Sequence, residues 1–337
     1  MTSAILSVRD LRVHFAVRGP FNRRIGAIKA VDDVSFDLTP GEVFGLVGES
    51  GCGKSTLGKA IMGIHRPSGG EIWFEGQRID RLAPAARRAV RRSLQYAYQD
   101  PGASLDPRWK IGRSLNEPLV IHTDLDAAAR QARIRSILDA VGLPDTHLDL
   151  YPHEISGGQQ RRVGLARILT LHPKVVILDE PTSGLDVSVQ ATVLALFRSL
   201  RERFALTYML ISHDLAVVRT MCSRVAVMYL GRIVETGPTE EIFNRPRHPY
   251  TRSLLAAIPK IGGARVTRDF WLQGEPPDPG NLPSGCRFRT RCPLAEAVCE
   301  TAAPALLALA TDAARAVACH MHVPASGHTR AAAPRAE

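Results

Sequence analysis

The sequence predicts an α/β fold with a mainly parallel sheet, and three features of the chain indicate it. Apolar runs at 43–47, 175–180 and 206–213 have the length of strands and lead into polar residues, as strands buried on both faces of a parallel sheet do. Helix-compatible segments alternate with these runs. A glycine-rich loop at 48–55 joins one such strand to a helix, so we expect functional groups at the carboxyl edge of the sheet.

Composition limits the class of protein. The chain has 337 residues, of which 45% are hydrophobic and 23% charged, as in a soluble globular protein of one large domain with an appendage or two medium domains. Its net charge of +10 is compatible with nucleic acid, anionic lipid or a nucleotide as ligand. No apolar run approaches the roughly 18 residues of a membrane span. Residues 1–10 do not resemble a secretory signal, so we expect a cytosolic protein.

Five segments outside the buried strands have readable patterns. Residues 4–15 and 30–38 alternate like strands and flank a basic segment at 18–26 that resembles an insertion. The arginine-rich segment at 84–93 predicts a solvated helix, and 115–143 has a helical pattern.

The chain is expected to divide into three parts. Residues 1–255 form the α/β domain, with a helical subdomain at about 100–165. A composition change after this point predicts a small, separate, cysteine-rich C-terminal module at 256–323. The tail at 324–337 is rich in alanine, proline and arginine and is expected to be disordered.

Residues 46–56 organise the rest of the chain, because Gly48, Gly53, Lys54 and Ser55 match the phosphate-loop pattern G-x-x-x-x-G-K-S/T between a strand and a helix. Glycines let successive backbone N–H groups face one anion, and the helix N-terminus adds partial positive charge. Lys54 would reach the β- and γ-phosphates, and the Ser55 hydroxyl would bind Mg²⁺. A turn that only caps a helix is the alternative, and the later motifs disfavour it. The predicted nucleotide contacts are Gly48, Glu49, Ser50, Gly51, Cys52, Gly53, Lys54, Ser55 and Thr56.

Polar residues end three predicted strands at the same edge of the sheet. Asp179 is expected to hold Mg²⁺ through water, and Glu180 to polarise the water that attacks the γ-phosphate. Gln99 would bind Mg²⁺ or position water, and His213 would donate a hydrogen bond to the γ-phosphate. Each residue taken singly is more often an ordinary loop residue, so their joint position is the evidence.

A second anion-binding arrangement heads a predicted helix, at Ser156, Gly157, Gly158 and Gln159. A chain with one phosphate loop has little geometric use for another around the same nucleotide. We therefore expect this segment to contact a nucleotide bound by another subunit. Phe15 is either an aromatic that stacks on adenine or a core residue of its strand.

These motifs together resemble an ABC-type ATPase. Their order and spacing match Walker A (48–55), the Q-loop (Gln99), the signature (156–159), Walker B (175–180), the D-loop (183–186) and the switch histidine (His213). The signature has Ile155 where the family usually has leucine. The resemblance covers about 4–255. It implies an ABC-type P-loop ATPase domain with a helical subdomain, ATP and Mg²⁺ as cofactors, and Asp186 as a further nucleotide contact.

A narrower resemblance is to the ATP-binding subunits of oligopeptide/dipeptide importers. It rests on segments at 98–108, 151–154, 248–251, 283–288 and 291–293. The basic insertion is similar to that of the second of the two paired ATPase subunits.

The importer resemblance implies a set of partners and a location. The partners are a second ABC ATPase subunit, by family a paralogue, two transmembrane permeases and, indirectly, an extracytoplasmic solute-binding protein. The protein would lie at the cytoplasmic face of the inner membrane, and ATP would close the head-to-tail dimer until hydrolysis reopens it.

Four of the six cysteines lie close together in the sequence: Cys286, Cys292, Cys299 and Cys319. Four thiolates suit a tetrahedral zinc ion or an iron–sulfur cluster, although none of the spacings is the short one typical of zinc. The importer resemblance favours a 4Fe–4S cluster, and zinc, free thiols or a disulfide are the alternatives. Cys52 and Cys222 are expected to be packing residues.

Two other functions are compatible with parts of the sequence. A soluble ABC ATPase acting on nucleic acid or the ribosome would explain the net charge and the arginines at 87–92. Such proteins usually carry two nucleotide domains or a long coiled coil, and this chain has one Walker A motif and no sustained heptads. We therefore expect no nucleic-acid partner. A redox sensor in the cysteine module would be compatible with the importer function.

Overall fold

The computed structural model describes residues 4–98, 105–257, 274–310 and 312–331. The strands in these ranges are β1 (Leu6–Arg18), β2 (Arg24–Leu38), β3 (Val43–Val47), β4 (Gly69–Phe74), β5 (Gln77–Arg78), β6 (Leu94–Ala97), β7 (Val175–Asp179), β8 (Thr207–Ser212), β9 (Arg224–Tyr229), β10 (Arg232–Pro238), β11 (Leu307–Leu309) and β12 (Asp312–Val317). The helices are α1 (Lys54–Ile61), α2 (Pro84–Ser93), α3 (Ile111–His122), α4 (Ala127–Ala140), α5 (Gly157–Leu169), α6 (Val187–Phe204), α7 (Leu215–Met221), α8 (Thr239–Asn244), α9 (Pro249–Ala256) and α10 (Ala297–Thr301).

The larger sheet has the strand order β11-β12-β10-β9-β3-β8-β7-β6. Strand β3 pairs in parallel with β8 and β9, and β7 pairs in parallel with β6 and β8. Every residue of β3, β7 and β8 is buried, because both faces of the sheet are covered. This burial explains their continuous apolar sequences. The predicted α/β fold with a mainly parallel sheet is confirmed.

Strand register determines where the functional segments leave the sheet. Val47 of β3 pairs with Ser212 of β8, and Asp179 of β7 pairs with Ile211. The ends of the three strands are therefore level. The glycine loop, Glu180 and His213 follow these ends directly and so lie at one edge of the sheet.

The smaller sheet is antiparallel, in the order β2-β1-β4-β5. Strands β1 and β2 form a long hairpin. The basic segment at 18–26 comprises the tip of this hairpin and the strand ends next to the tip, so the insertion lengthens the hairpin.

The helices agree in part with the sequence patterns. Helix α2 has the predicted bounds and no buried residue, which confirms a solvated helix. The predicted helix at 115–143 is two helices, because Asp126 starts α4 by accepting a hydrogen bond from the Ala129 N–H at 2.7 Å. In the described part of the chain, no helix has both the length and the apolar composition that crossing a bilayer requires.

The cysteine-rich C-terminal region differs from the separate module that we expected. Strand β12 pairs antiparallel with β10, with Glu235 opposite Val317, and so extends the larger sheet. Phe288 is buried, and its ring lies 5.3 Å from that of Tyr229 and 5.4 Å from that of Tyr250. The described residues of this region therefore share the sheet and the core of the α/β domain, and the boundary at 256 stays a prediction. Composition changes at this point of the chain, but strand pairing and core packing continue across it.

Residues 324–331 belong to the tail that we expected to be disordered. His328 is buried, and its Nε2 lies 3.0 Å from the carbonyl oxygen of Leu294. The Thr329 N–H donates to the Glu296 carboxylate at 2.8 Å. The structure thus differs from that expectation here, because these polar groups find partners in the C-terminal region. Residues 332–337 of the expected tail lie outside the described residues.

Candidate nucleotide site

The glycine loop after β3 adopts a conformation that requires glycine. Gly53 has φ +109°, and a Cβ at this position would lie 2.0 Å from the carbonyl oxygen of Ala30. A Cβ on Gly48 would lie 2.2 Å from the carbonyl oxygen of Met228. The loop therefore packs directly against the backbone of neighbouring strands, which any larger residue would prevent.

Lys54 begins α1 and is 5% exposed. Its Nζ donates to the carbonyl oxygens of Gly48 at 2.7 Å and Glu49 at 2.9 Å. The loop thus folds around a buried ammonium group, and a lysine of this kind binds phosphate as a point charge.

A cleft of about 580 Å³ lies over the loop. It is lined by most of the predicted loop residues together with Glu180, Ser183 and His213. Cys52 is instead buried beneath the loop, and its thiol has a raised pKa because of that burial. The packing role expected for Cys52 is confirmed.

The predicted magnesium ligands Ser55 and Asp179 contact each other. Asp179 is buried, and its Oδ1 accepts a hydrogen bond from the Ser55 hydroxyl at 2.9 Å. Its Oδ2 accepts one from the Tyr96 hydroxyl at 2.5 Å. Burial and the adjacent Asp179 raise the pKa of Tyr96, so the phenol remains a donor. Hydroxyl and carboxylate oxygens are the ligand atoms that Mg²⁺ prefers. Gln99, the third predicted ligand, lies outside the described residues.

Glu180 and His213 form a pair at the mouth of the loop. Glu180 Oε2 lies 2.5 Å from His213 Nδ1, and the two side chains are 16% and 58% exposed. Glu180 has φ +53°, a strained conformation for a residue with a Cβ. Its N–H donates to the Ile211 carbonyl oxygen at 2.9 Å, which holds this conformation. Strain that the surrounding structure enforces in this way is concentrated at active sites.

The signature segment begins α5 on the outside of the molecule. The Gln159 N–H donates to the Ser156 hydroxyl oxygen at 3.3 Å, and the Ser156 N–H donates to the Gln159 side chain at 2.9 Å. This reciprocal pair is a capping box. Ser156, Gly157 and Gly158 are exposed and are not among the described residues that line the cleft.

Two other predicted contacts also lie outside that cleft. Asp186 is exposed and begins α6, where its Oδ1 accepts a hydrogen bond from the Val189 N–H at 2.9 Å. Phe15 is 38% exposed, and its ring centroid lies 5.2 Å from that of His65. Phe15 is therefore not among the described residues that line the cleft, and its stacking on adenine stays a prediction.

Two residues that contact the loop were missing from the predicted site. The Tyr250 hydroxyl oxygen accepts a hydrogen bond from the Glu49 N–H at 2.9 Å. Arg291 donates to both carboxylate oxygens of Glu49, at 2.7 and 3.0 Å. The two residues lie 201 and 242 positions from Glu49 in the sequence, and no local pattern signals contacts at that separation. Their only marker was membership of segments that resemble the importer subunits.

The four clustered cysteines, Cys286, Cys292, Cys299 and Cys319, are free thiols, so the disulfide alternative is wrong. Burial, with a contribution from the neighbouring cysteines, raises the pKa of Cys292 to about 11 and of Cys319 to about 12. The thiols are therefore close enough to influence one another. Among the described residues, however, no three histidine, cysteine, aspartate or glutamate side chains are grouped so that they could hold one metal ion. In this geometry the thiols do not form a ready-made site for zinc or for an iron–sulfur cluster.

A phosphate loop, two acids at the carboxyl edge of a parallel sheet, and a second, exposed, glycine-containing helix start are the arrangement of an ABC-type ATPase. The ABC transporter family matches residues 31–183, and the oligopeptide/dipeptide transporter C-terminal region matches residues 234–299. The chain is 45% identical over 323 residues to the oligopeptide transport ATP-binding protein AppF of Bacillus subtilis (strain 168), covering 94% of this chain and 97% of that protein. It therefore belongs to the ATP-binding subunits of the oligopeptide/dipeptide family of ABC transporters.

Two further comparisons agree with this assignment. The chain is 46% identical over 288 residues to the dipeptide transport ATP-binding protein DppF of Escherichia coli (strain K12), covering 86% of each protein. It matches the structure of cbiO1 from Clostridium perfringens, part of the ABC transporter complex cbiONQ, with a TM-score of 0.62 and 28% identity. That match covers 72% of this chain and 91% of cbiO1. The alternative of an ATPase acting on nucleic acid or the ribosome finds no support.

Proposed function

We propose that this ATPase powers the uptake of peptides through partner permeases, and that it hydrolyses ATP in the cleft over the glycine loop. The observation that carries the proposal is the convergence of Lys54, the Ser55–Asp179 pair and the Glu180–His213 pair at one edge of the sheet. Peptide as cargo is supported by the C-terminal region shared with transporters of oligopeptides and dipeptides.

Each residue in the cleft has a separate task in the proposed reaction. Lys54 holds the β- and γ-phosphates. To do so, its ammonium group leaves the two loop carbonyl oxygens to which it donates in this structure and donates to phosphate oxygens instead. Ser55 and Asp179 hold Mg²⁺, which would neutralise charge on the phosphates. Glu180 accepts the proton of the attacking water. His213 orients the Glu180 carboxylate through the 2.5 Å contact and reaches towards the γ-phosphate.

The proposed assembly contains a second ATPase subunit. The exposure of the signature segment supports this arrangement, because an anion-binding helix start that lies outside its own cleft is available to another subunit's nucleotide. The resemblance to the importer family favours a paralogue of this chain as the partner. The two ATPase subunits then act on two permeases, which receive the solute from an extracytoplasmic binding protein. In this proposed assembly the chain lies at the cytoplasmic face of the inner membrane.

Replacing Glu180 tests the proposed chemistry. Glu180→Gln keeps the size of the side chain but cannot accept a proton, so phosphate release by the assembled complex should fall by at least about 10²-fold. ATP binding should persist, whereas Lys54→Ala should lose it. Measuring phosphate release and equilibrium ATP binding for both variants separates the two roles. Full hydrolysis by the Glu180→Gln variant would contradict the assignment of the base.

We also propose that Cys286, Cys292, Cys299 and Cys319 hold a 4Fe–4S cluster. Four free thiols in the C-terminal region are the ligand set that such a cluster requires, and three of them lie in the region shared with oligopeptide/dipeptide transporters. Protein purified without oxygen should absorb near 400 nm, and Cys292→Ser should lose that band. Colourless protein that contains no iron would exclude the cluster.

A further inference from the structure

The C-terminal region forms an ion pair with the phosphate loop at Glu49. Arg291 and Glu49 form a bidentate pair, with Nη1–Oε2 at 2.7 Å and Nη2–Oε1 at 3.0 Å. The Arg291 side chain is 5% exposed and that of Glu49 is 23% exposed. The backbone of Glu49 is held as well, because its N–H donates to the hydroxyl oxygen of the buried Tyr250. Both the backbone and the carboxylate of Glu49 are thus held by residues outside the nucleotide motifs.

A second contact connects the same region to the other end of the loop. Arg287 donates to the Asp32 carboxylate and to the Leu230 carbonyl oxygen. The next residue, Gly231, donates its N–H to the carbonyl oxygen of Cys52 at 2.8 Å. Arg291 therefore contacts Glu49 directly. Arg287, four positions earlier, is connected to Cys52 through the turn at 230–231.

We propose that Arg291 is a positioning residue for ATP binding, because it fixes the loop backbone between Gly48 and Lys54. A bidentate arginine–carboxylate pair fixes orientation as well as distance. The carbonyl oxygen of Glu49 also accepts a hydrogen bond from Lys54 Nζ at 2.9 Å, so movement of Glu49 displaces a contact of the phosphate-binding lysine. Arg291 itself is a positioning group and not a phosphate ligand, since both of its Nη groups donate to Glu49.

This inference rests on the proposed nucleotide site and adds a dependence to it. The affinity of the chain for ATP then depends on the C-terminal region as well as on the Walker motifs. Arg289 provides a contrast two residues away. It pairs with Glu300 at 3.2 Å, and this contact stays within the C-terminal region.

The test uses the full chain and compares matched variants. Arg291→Met should raise the Kd for ATP in the presence of Mg²⁺ by about tenfold or more, the usual effect of removing a residue that orients binding groups. Arg291→Lys keeps the charge but not the bidentate geometry, so its Kd should be intermediate. Arg289→Met, the matched control, should bind ATP like wild type. The Arg291→Met/Glu49→Gln double variant should be no weaker than Arg291→Met, because the two residues act as one unit.

The outcomes distinguish this inference from the proposed function. Thermal unfolding of each variant shows whether the chain is folded, and Arg291→Lys serves if Arg291→Met is not. A wild-type Kd in folded Arg291→Met or Arg291→Lys would overturn the positioning role while leaving the site intact. Equal weakening by Arg289→Met would also overturn it, since the effect would then be general. Wild-type protein that fails to bind ATP would overturn the site itself, and this inference with it.

Discussion

Asp179 connects helix α1 and strand β6 through hydrogen bonds to its carboxylate. Ser55 reaches it from α1 and Tyr96 from β6, and each occupies one carboxylate oxygen. A buried carboxylate held by two donors keeps one orientation. The Asp179 carboxylate therefore has a fixed orientation, and Tyr96, which no motif contains, helps to fix it.

Removing the Tyr96 hydroxyl tests this orientation. Tyr96→Phe leaves one oxygen of the buried Asp179 without its donor, so the free energy of unfolding should fall by about 1–3 kcal/mol. The apparent affinity for Mg²⁺ in ATP hydrolysis should weaken as well. Denaturant unfolding and a Mg²⁺ titration of the phosphate-release rate measure the two effects.

Tyr98→Phe is the matched control for this experiment. The Tyr98 ring lies 4.9 Å from that of Tyr96, but Tyr98 is 45% exposed. Its substitution should leave unfolding and Mg²⁺ dependence close to wild type. If both substitutions had the same effect, the hydrogen bond to Asp179 would not be the cause.

At the scale of elements, patterns that follow from burial were predictable and long-range pairing was not. Strands β3, β7 and β8 are apolar because the sheet buries both of their faces, so their positions and the functional edge could be read from the sequence. Strand β12 is alanine-rich and partly exposed, without a continuous apolar pattern, yet it lies in the sheet between β10 and β11. Its pairing depends on a partner about 80 residues away, and a local pattern carries no information about that partner.

One buried ion pair stabilises this late strand. Arg315 of β12 and Glu235 of β10 are 2% and 1% exposed, and Nη2 lies 3.2 Å from Oε1. Arg315→Met should leave a buried carboxylate without its counter-ion and reduce the free energy of unfolding by about 3–5 kcal/mol. The Glu235 carboxylate also accepts hydrogen bonds from the N–H groups of Arg247 and His248, which favours the lower end of that range.

Denaturant unfolding of two further variants completes the comparison. Arg219→Met removes an arginine from an ion pair whose side chains are 50% and 65% exposed, so the change should be about 0–1 kcal/mol. Arg315→Met/Glu235→Gln should recover part of the stability lost by Arg315→Met, because the uncompensated charge is gone. A double variant as unstable as the single one would place the cost in packing or in the backbone N–H whose hydrogen bond the glutamine NH₂ cannot accept, and not in charge.

At the scale of the whole molecule, the two glycine-containing helix starts that were predicted to bind anions do not share a cleft. The start of α1 lines the cleft of the glycine loop, whereas the start of α5 is exposed. The sequence predicted this separation by elimination, because two phosphate-binding helix starts have little use around one nucleotide. The contacts of Tyr250 and Arg291 with the loop were missed, since these residues lie 201 and 242 positions from Glu49 and only the folded chain brings them to it.

Charge at the start of α5 tests whether it faces the nucleotide of a second subunit. Aspartate and asparagine both cap helices as well as serine, so Ser156→Asp and Ser156→Asn should each keep the capping box with the Gln159 N–H. Only aspartate adds a negative charge next to the partner's triphosphate. In a complex reconstituted with the partner ATPase subunit, Ser156→Asp should therefore lower phosphate release at the shared site by about 10²-fold. Ser156→Asn should retain most of it, and ATP binding to the variant chain alone should be unchanged, because Ser156 does not line its own cleft. If the two variants hydrolysed ATP equally well, no triphosphate would lie at this helix start, and the arrangement of the two subunits would have to be different.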